Sequence, residues 1–544
     1  MATLREWIFT TDHKKVGILY LIGSIAAFGV AGIMALLMRA ELSAPGPTLT
    51  DNPTDYNVWL YFHGAAMILG FQIPALTGFL ANFLVPLQIG AKDVAFPRLN
   101  ALSVWLFYAG IILALMTFII PDPPDVMWTG YPPYSEISVG NTAFYSFTVL
   151  LLGFASILGG VNFLTTITFM RAPGLGWNKL NIFTWSTFAA FILQLIFVPV
   201  LGTAVTMIMF DKYLGTHFFT PDQGGDVLIY QNLFWFYSHP AVYVILLPFI
   251  GIVFDIVATF ARNRVFNYKM VVYGGMGGIV LLAGEVWIHH LYVTGMPDWL
   301  RVGQMVTTLL ISVPVGLLFI GLVGTLYKGS IELKTPMLYA VSVIFLMLIG
   351  GLTGIPLAMT ALDIHVSDSY FIVGHFHYVM AVSGTFAIFG GVYYLYPKMT
   401  GRMYNETIGK ISFWISFVGV NIIFFPMMMA GLAGMPRRYW DYSQFEGLEG
   451  YHQIMSVGAA LIGIGFFLAL INWIQALFTG EKAPDNPWGS RSLEWTTTSP
   501  PGHGNWPEIP KIAPEWHPYG YGEDAPDPVG GGSLSPAAAR ERER

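Results

Sequence analysis

The sequence predicts an all-α, polytopic membrane protein of twelve transmembrane helices, and three observations predict it. The chain of 544 residues is 55% hydrophobic and only 11% charged, against the roughly 25% charge of soluble domains. Twelve apolar runs are long enough to cross about 30 Å of hydrocarbon as helices. Lys and Arg divide unevenly between alternate loops, which sets an orientation.

The runs cover residues 16–38, 58–86, 101–120, 143–170, 183–209, 233–254, 270–293, 303–326, 336–361, 371–397, 411–430 and 453–478. The first follows Lys14 and Lys15 and lacks the small-residue cleavage pattern of a removed signal, so it reads as a retained span. One set of loops holds Lys92, Arg98, Arg171, Lys179, Arg262, Arg264 and Lys269, and the same side collects further cations as far as Lys410. The opposite loops hold Arg39, Lys212, Arg301, Arg437 and Arg438 and are otherwise acidic. The expected setting is lipid of a prokaryotic cytoplasmic membrane, with both termini cytoplasmic. Residues 1–480 make the helical domain, and residues 481–544 form a polar, Pro- and Gly-rich tail ending ARERER. That tail is expected to be partly irregular, cytoplasmic and without enzymatic role.

The chain has no cysteine, which excludes disulfides, iron–sulfur clusters, thiolate-bound copper and covalent c-type haem within it. Any metal must sit on His, carboxylate or Met. The net charge of −6 comes without a long block of like charge, so no nucleic-acid partner is expected.

Twelve histidines occur, and six fall inside the predicted spans: His63, His239, His289, His290, His375 and His377. Ionisable groups in a membrane cost several kcal/mol and are functional candidates by default. Span polarity puts all six in one outer layer. One such histidine alone has a bland reading, a core side chain bonded to a neighbouring helix; six at matched depth do not. His375 and His377 in GHFHYV are two residues and about 200° apart, so they face opposite sides of their helix. They cannot share one metal, but each can bind a different haem iron. His63 would complete a six-coordinate low-spin haem, leaving the other haem five-coordinate and open. His289 and His290 in WIHHLY are about 100° apart and can converge with His239 on a single non-haem metal. Three imidazoles suit copper or iron.

These residues stand in the segments TTDHKKVGILYL, NFLVPLQIGAKDVAFPRLN, FWFYSHPAVY, WIHHLYVTGM, GHFHYV, PKMTGRMYNETIGK and GLAGMPRRY. Over roughly residues 8–480 they resemble subunit I of the haem-copper oxidases. The resemblance implies His63 and His377 on the low-spin haem, His375 on the high-spin haem, and His239, His289 and His290 on the third metal. It implies Arg437 and Arg438 at haem propionates, and Arg39 at a formyl group, hence haem A. Tyr243 stands where the family's oxygen reductases have a tyrosine joined to a metal-binding histidine. Asp93, Asn82 and Asn100 resemble the mouth of a cytoplasmic proton path. The usual inner glutamate is Ala241 here, and Tyr237 with Ser238 fits the Tyr-Ser variant of one branch.

Three departures bear on the reaction. Val315 and Leu318 stand where the family's second proton path has threonine and lysine, so that path reads as closed. Ser367 replaces the histidine of a His-Asp pair that helps hold a redox-inactive metal, leaving Asp368. Glu285 is the one carboxylate well inside a predicted span, four residues before His289 and about 6 Å deeper on the same helix face. Its bland reading is a protonated hydrogen-bonding group. Its functional readings are proton delivery or a fourth ligand to the third metal, which would favour iron over copper. The nitric oxide reductases of the superfamily resemble that arrangement.

The balance of these features favours reduction of NO to N2O, with O2 reduction to water as the alternative supported by Tyr243 and the Tyr-Ser pair. Two haems and one further metal, iron favoured and copper alternative, are expected. Lacking cysteine for a copper pair, the chain needs an electron-donating, subunit II-like partner. Twelve spans alone would also suit a secondary transporter, but transporters place charge near the midplane on broken helices. A cytochrome that only carries electrons would need neither an open haem nor a third metal.

Overall fold

In hydrocarbon every backbone polar group must be satisfied internally, so long apolar runs fold as helices and the starts of those helices fall at capping residues. The computed structural model describes residues 4–521. In chain order its long helices are α1 His13–Glu41, α2 Pro53–Gln88, α3 Pro97–Phe118, α4 Thr142–Phe169, α5 Ile182–Leu214, α6 Val227–Ala261, the shorter α7 Met270–Glu285, α8 Asp298–Leu326, α9 Thr335–Ala358, α10 Tyr370–Thr400, α11 Glu406–Leu432 and α12 Glu449–Thr479. All but α7 are long and apolar enough to cross a membrane, so the protein is an integral membrane protein.

Side chains fix several starts. Asp12 accepts from the Lys14 amide at 2.9 Å, Asn52 from Thr54, Asp226 from Leu228, and Ser369 from Phe371. Gly215 and Gly401 end α5 and α10 at φ 71° and 69°, the left-handed conformation that glycine adopts without strain.

Consecutive helices pack side by side, α11 on α12, α5 on α6, α3 on α4 and α9 on α10. Two helices, α2 and α6, are almost wholly buried, while α1, α8 and α12 turn most of their apolar side chains outward. Those outward side chains are what a lipid-facing surface needs, and the buried pair carries histidines to the centre.

One expectation needs correction. The seventh span does not run as α-helix to residue 293: α-helix ends at Leu282, and Ala283–Glu285 and Trp287–Leu291 are 3-10 turns. Val286 between them has φ −124° and ψ 7°, outside helical values. Residues 481–521 are irregular and packed. They lie over the helix ends that carry Lys14 and Lys398, with Leu493, Trp495, Trp506, Trp516 and Tyr519 buried. Asn505 hydrogen-bonds Lys14 and the Ala91 carbonyl, and Lys398 donates to the carbonyls of Asp485 and Thr497. The end of the tail, including ARERER, lies outside the described residues.

Candidate metal centre

The six histidines line one cavity of about 1440 Å³, beyond the roughly 300–1,000 Å³ of a single ligand site. His63, in the outer half of α2, gives Nδ1 to the Ala31 carbonyl at 3.0 Å. His377 gives Nδ1 to Val373 at 2.8 Å, and His375 gives Nδ1 to Gly350 at 3.0 Å. A backbone carbonyl on Nδ1 fixes the ring and leaves Nε2 as the metal-facing nitrogen.

His63 and His377 lie across from one another, with ring centroids 6.5 Å apart and planes 13° from parallel. Two iron–nitrogen bonds of about 2.0 Å, plus roughly 1 Å from each nitrogen to its ring centre, require about 6 Å. The gap therefore fits one haem iron between two axial imidazoles. His375 turns the other way, toward Gly350 and Thr353 of α9, while His377 stacks on Phe424 of α11 at 4.4 Å. The helix period places them on opposite faces, so a second haem on His375 would lie on the other side of α10.

His239, His289 and His290 form the third group, with one nitrogen from each lying within 4.8 Å of the others. His239 Nδ1 and His290 Nε2 are 3.2 Å apart, close to the roughly 3.3 Å between two nitrogens bound tetrahedrally to one ion at about 2.0 Å. Thr308 of α8 holds His289 Nδ1 at 3.1 Å, and Trp235 lies flat on His290 with centroids 3.6 Å apart. Tyr243, one turn after His239, has its ring centroid 4.9 Å from that histidine, whose Nε2 has no hydrogen-bond partner. The residues fit two haems and a third metal on imidazole nitrogen.

Glu285 does not join this group and corrects the sequence reading. Its side chain is exposed and does not line the cavity, and its carbonyl accepts from Gln304 and Thr307. The reason is the 3-10 geometry: at about 120° per residue, four residues no longer bring Glu285 over His289. Without that carboxylate, the ligand-set argument for iron over copper loses its footing.

Arg437 and Arg438 sit at the outer rim of the cavity. Arg437 pairs with Asp368 and keeps a buried Nε without a partner. Burial, with Arg437 alongside, draws the Arg438 guanidinium down to about 10, leaving it charged at neutral pH. A free donor beside a second cation fits a carboxylate such as a propionate. Arg39 also lines the cavity, with His452 Nδ1 at 3.0 Å and Met455 Sδ at 3.5 Å. Asp363 is a cavity residue that sequence reasoning missed: its Oδ2 is buried without a partner, and burial pushes its carboxyl up to about 7. Trp235 was also missed, although its place one turn before His239 was a usable signal.

At the end of α2 remote from His63, Asn100 donates to Asn82 Oδ1 at 2.5 Å, and Asp93 lies in the loop between α2 and α3. Tyr237 and Ser238 line the cavity beside His239. Val315 lines it too and Leu318 is buried, so the two positions of α8 that would carry the second path hold apolar side chains.

The chain is similar to known proteins along most of its length. The family model described as "Cytochrome C and Quinol oxidase polypeptide I" matches residues 15–488. The chain is 41% identical to a cytochrome c oxidase subunit 1 of Thermostichus vulcanus, over 94% of this chain and 92% of the relative. It is 42% identical to a cytochrome c oxidase subunit 1 of Synechocystis sp., over 96% and 94%. A solved heme-copper terminal oxidase dimer shares the fold at TM-score 0.72 and 18% identity, covering 86% of this chain and 84% of that one.

Proposed function

Because the chain belongs to the cytochrome c and quinol oxidase polypeptide I family, we propose that it is the catalytic subunit of a haem-copper terminal oxidase that reduces O2 to water. This reverses the preference for NO drawn from the sequence. The relatives are named as oxidases, and the added carboxylate stands outside the metal group.

The observation that carries the reading is Tyr243 beside the unpartnered Nε2 of His239 at a metal group of three imidazoles. O2 reduction takes four electrons and four protons at one buried place, and NO coupling takes two of each. A phenol can supply one electron and one proton on the spot, which the larger reaction needs and the smaller does not. When bound, the two haems and a copper ion would supply electron storage and the place where O2 binds.

The protein's own groups do the rest. His63 and His377 would hold one haem and His375 the other. Arg437 and Arg438 would neutralise propionates, and Arg39 would bind the formyl group of a haem A. Asp93, Asn82 and Asn100 admit protons from the cytoplasm, and Tyr237 and Ser238 pass them toward the metals. Electrons enter from a partner subunit, since this chain has no cysteine for a copper pair. Both termini face the cytoplasm of a prokaryotic plasma membrane, by the distribution of Lys and Arg.

Asp93 gives a signed pH prediction. Burial pushes its carboxyl up to about 6, so it is neutral below that pH and a charged acceptor above it. Turnover limited by proton uptake is expected to rise about tenfold per pH unit below 6 and level off above it. Asp93→Asn should slow turnover and abolish that rising limb, as read from initial rates between pH 5 and 8.

Gas consumption by the purified complex tests the reaction itself. Rapid uptake of O2 with little uptake of NO is expected from reduced cytochrome c or quinol. Apolar Val315 and Leu318 on α8 keep NO as the competing outcome, and uptake of NO alone would reverse the assignment.

A further inference from the structure

In α5 the run FILQLIFVPV places one amide, Gln194, among apolar neighbours. Gln194 is 2% exposed, and neither its Nε2 nor its Oε1 meets a partner in the protein. A buried amide left bare on both sides is costly, so proteins normally supply it with a partner or with water.

The side chain lines a small cavity of about 20 Å³ together with Ser156, Tyr237 and Ala241 among apolar groups. That is room for a water, which needs roughly 10–15 Å³ and two or more polar partners. Tyr237 and Ala241 also line the large cavity that holds the histidines. The small cavity thus adjoins the metal cavity, with Tyr237 between them, at the place where the family's glutamate is absent. Two turns nearer the cytoplasm on the same face of α5, about 10 Å away, Thr187 also has a buried hydroxyl without a partner. At the foot of α5, Thr184 bonds Gln88 of α2 at 2.8 Å.

We propose that Gln194 is a positioning residue for proton delivery: it holds water at the inner end of the cytoplasmic route, next to Tyr237. Its amide donates and accepts, so it orients water in either sense, and it does not ionise, so it cannot trap the proton. A proton arriving on that water is taken up by the Tyr237 hydroxyl as the same hydroxyl releases its own proton toward the metal cavity. Tyr237 ends each transfer neutral, and Gln194 keeps its own hydrogens throughout. The inference rests on the proposed function only in needing protons drawn from the cytoplasmic side.

The test compares the intact complex with Gln194→Met, similar in volume but apolar, and with Gln194→Glu. Oxygen turnover is measured in H2O and D2O, and electron transfer between the haems is followed by CO flash photolysis. Gln194→Met should turn over at least about tenfold more slowly, with a larger solvent isotope effect and unchanged haem spectra and electron transfer. Gln194→Glu keeps groups that bind water but can ionise and hold the proton, so it should turn over more slowly than the unaltered enzyme and faster than Gln194→Met. Gln194→Asn, which withdraws the amide by one methylene, replaces the Met variant if that fails to assemble and should slow turnover in the same way. Unchanged turnover and isotope effect in the apolar variant would overturn the proposal, as would an equal loss of electron transfer, which marks a packing role. A complex that consumes NO but not O2 sinks the oxygen assignment alone, and the same comparison is then made on NO turnover.

Discussion

His289→Ala is expected to lower oxygen turnover by at least about a thousandfold, close to 4 kcal/mol of barrier, while both haems stay bound. His289 and His290 come from the 3-10 turn Trp287–Leu291, whereas the haem-facing His63, His375 and His377 belong to α2 and α10. Removing His289 takes one of three imidazoles from the third metal and touches neither axial pair. Its loss also frees Thr308, which holds the His289 ring at 3.1 Å. Changes behind a ligand typically cost 10–100-fold, so loss of the ligand itself should cost more. Reduced-minus-oxidised spectra should be unaltered, and retained turnover would show that the three histidines do not form one metal site.

Tyr243→Phe is the second large effect. The change removes a hydroxyl and leaves the ring that packs 4.9 Å from His239. Haem content, CO binding and metal content should be preserved, because no ligand is lost. Oxygen turnover should fall at least about a hundredfold, roughly 2.7 kcal/mol, since the site loses its local source of an electron and a proton. NO turnover, which needs only two electrons, should barely change. Stopped-flow reaction with O2 of the variant reduced only at the high-spin haem and third metal separates the two: a normal rate of O2 reduction there would leave Tyr243 without a role in the chemistry.

The parts of the fold that hydropathy governs were legible. The spans around α1–α6 and α8–α12 follow from runs of apolar residues, and the opposite facing of His375 and His377 follows from the helix period alone. The turn at α7 was not legible, because periodicity assumes one helix type throughout. There Gly284 lies so close to α5 that a Cβ would meet the Phe197 ring at 2.7 Å, a tertiary approach invisible in the local sequence. The same break turned Glu285 outward and removed the strongest sequence argument for NO. In residues 481–521, Pro and Gly content spoke for irregularity, and Trp495, Trp506 and Trp516 were the signal that this segment would pack. Gln194 escaped notice because attention to charge passes over a neutral amide, although its solitary place in FILQLIFVPV was visible.

The identity of the third metal tests the account most directly. Total iron in the purified complex is measured against haem, a ratio that copper held by a partner subunit cannot disturb. Iron equal to haem, with copper present in a variant-sensitive amount that His289→Ala reduces, is the predicted result. One iron in excess for every two haems, lost on the same substitution, would contradict it and return the site to NO chemistry.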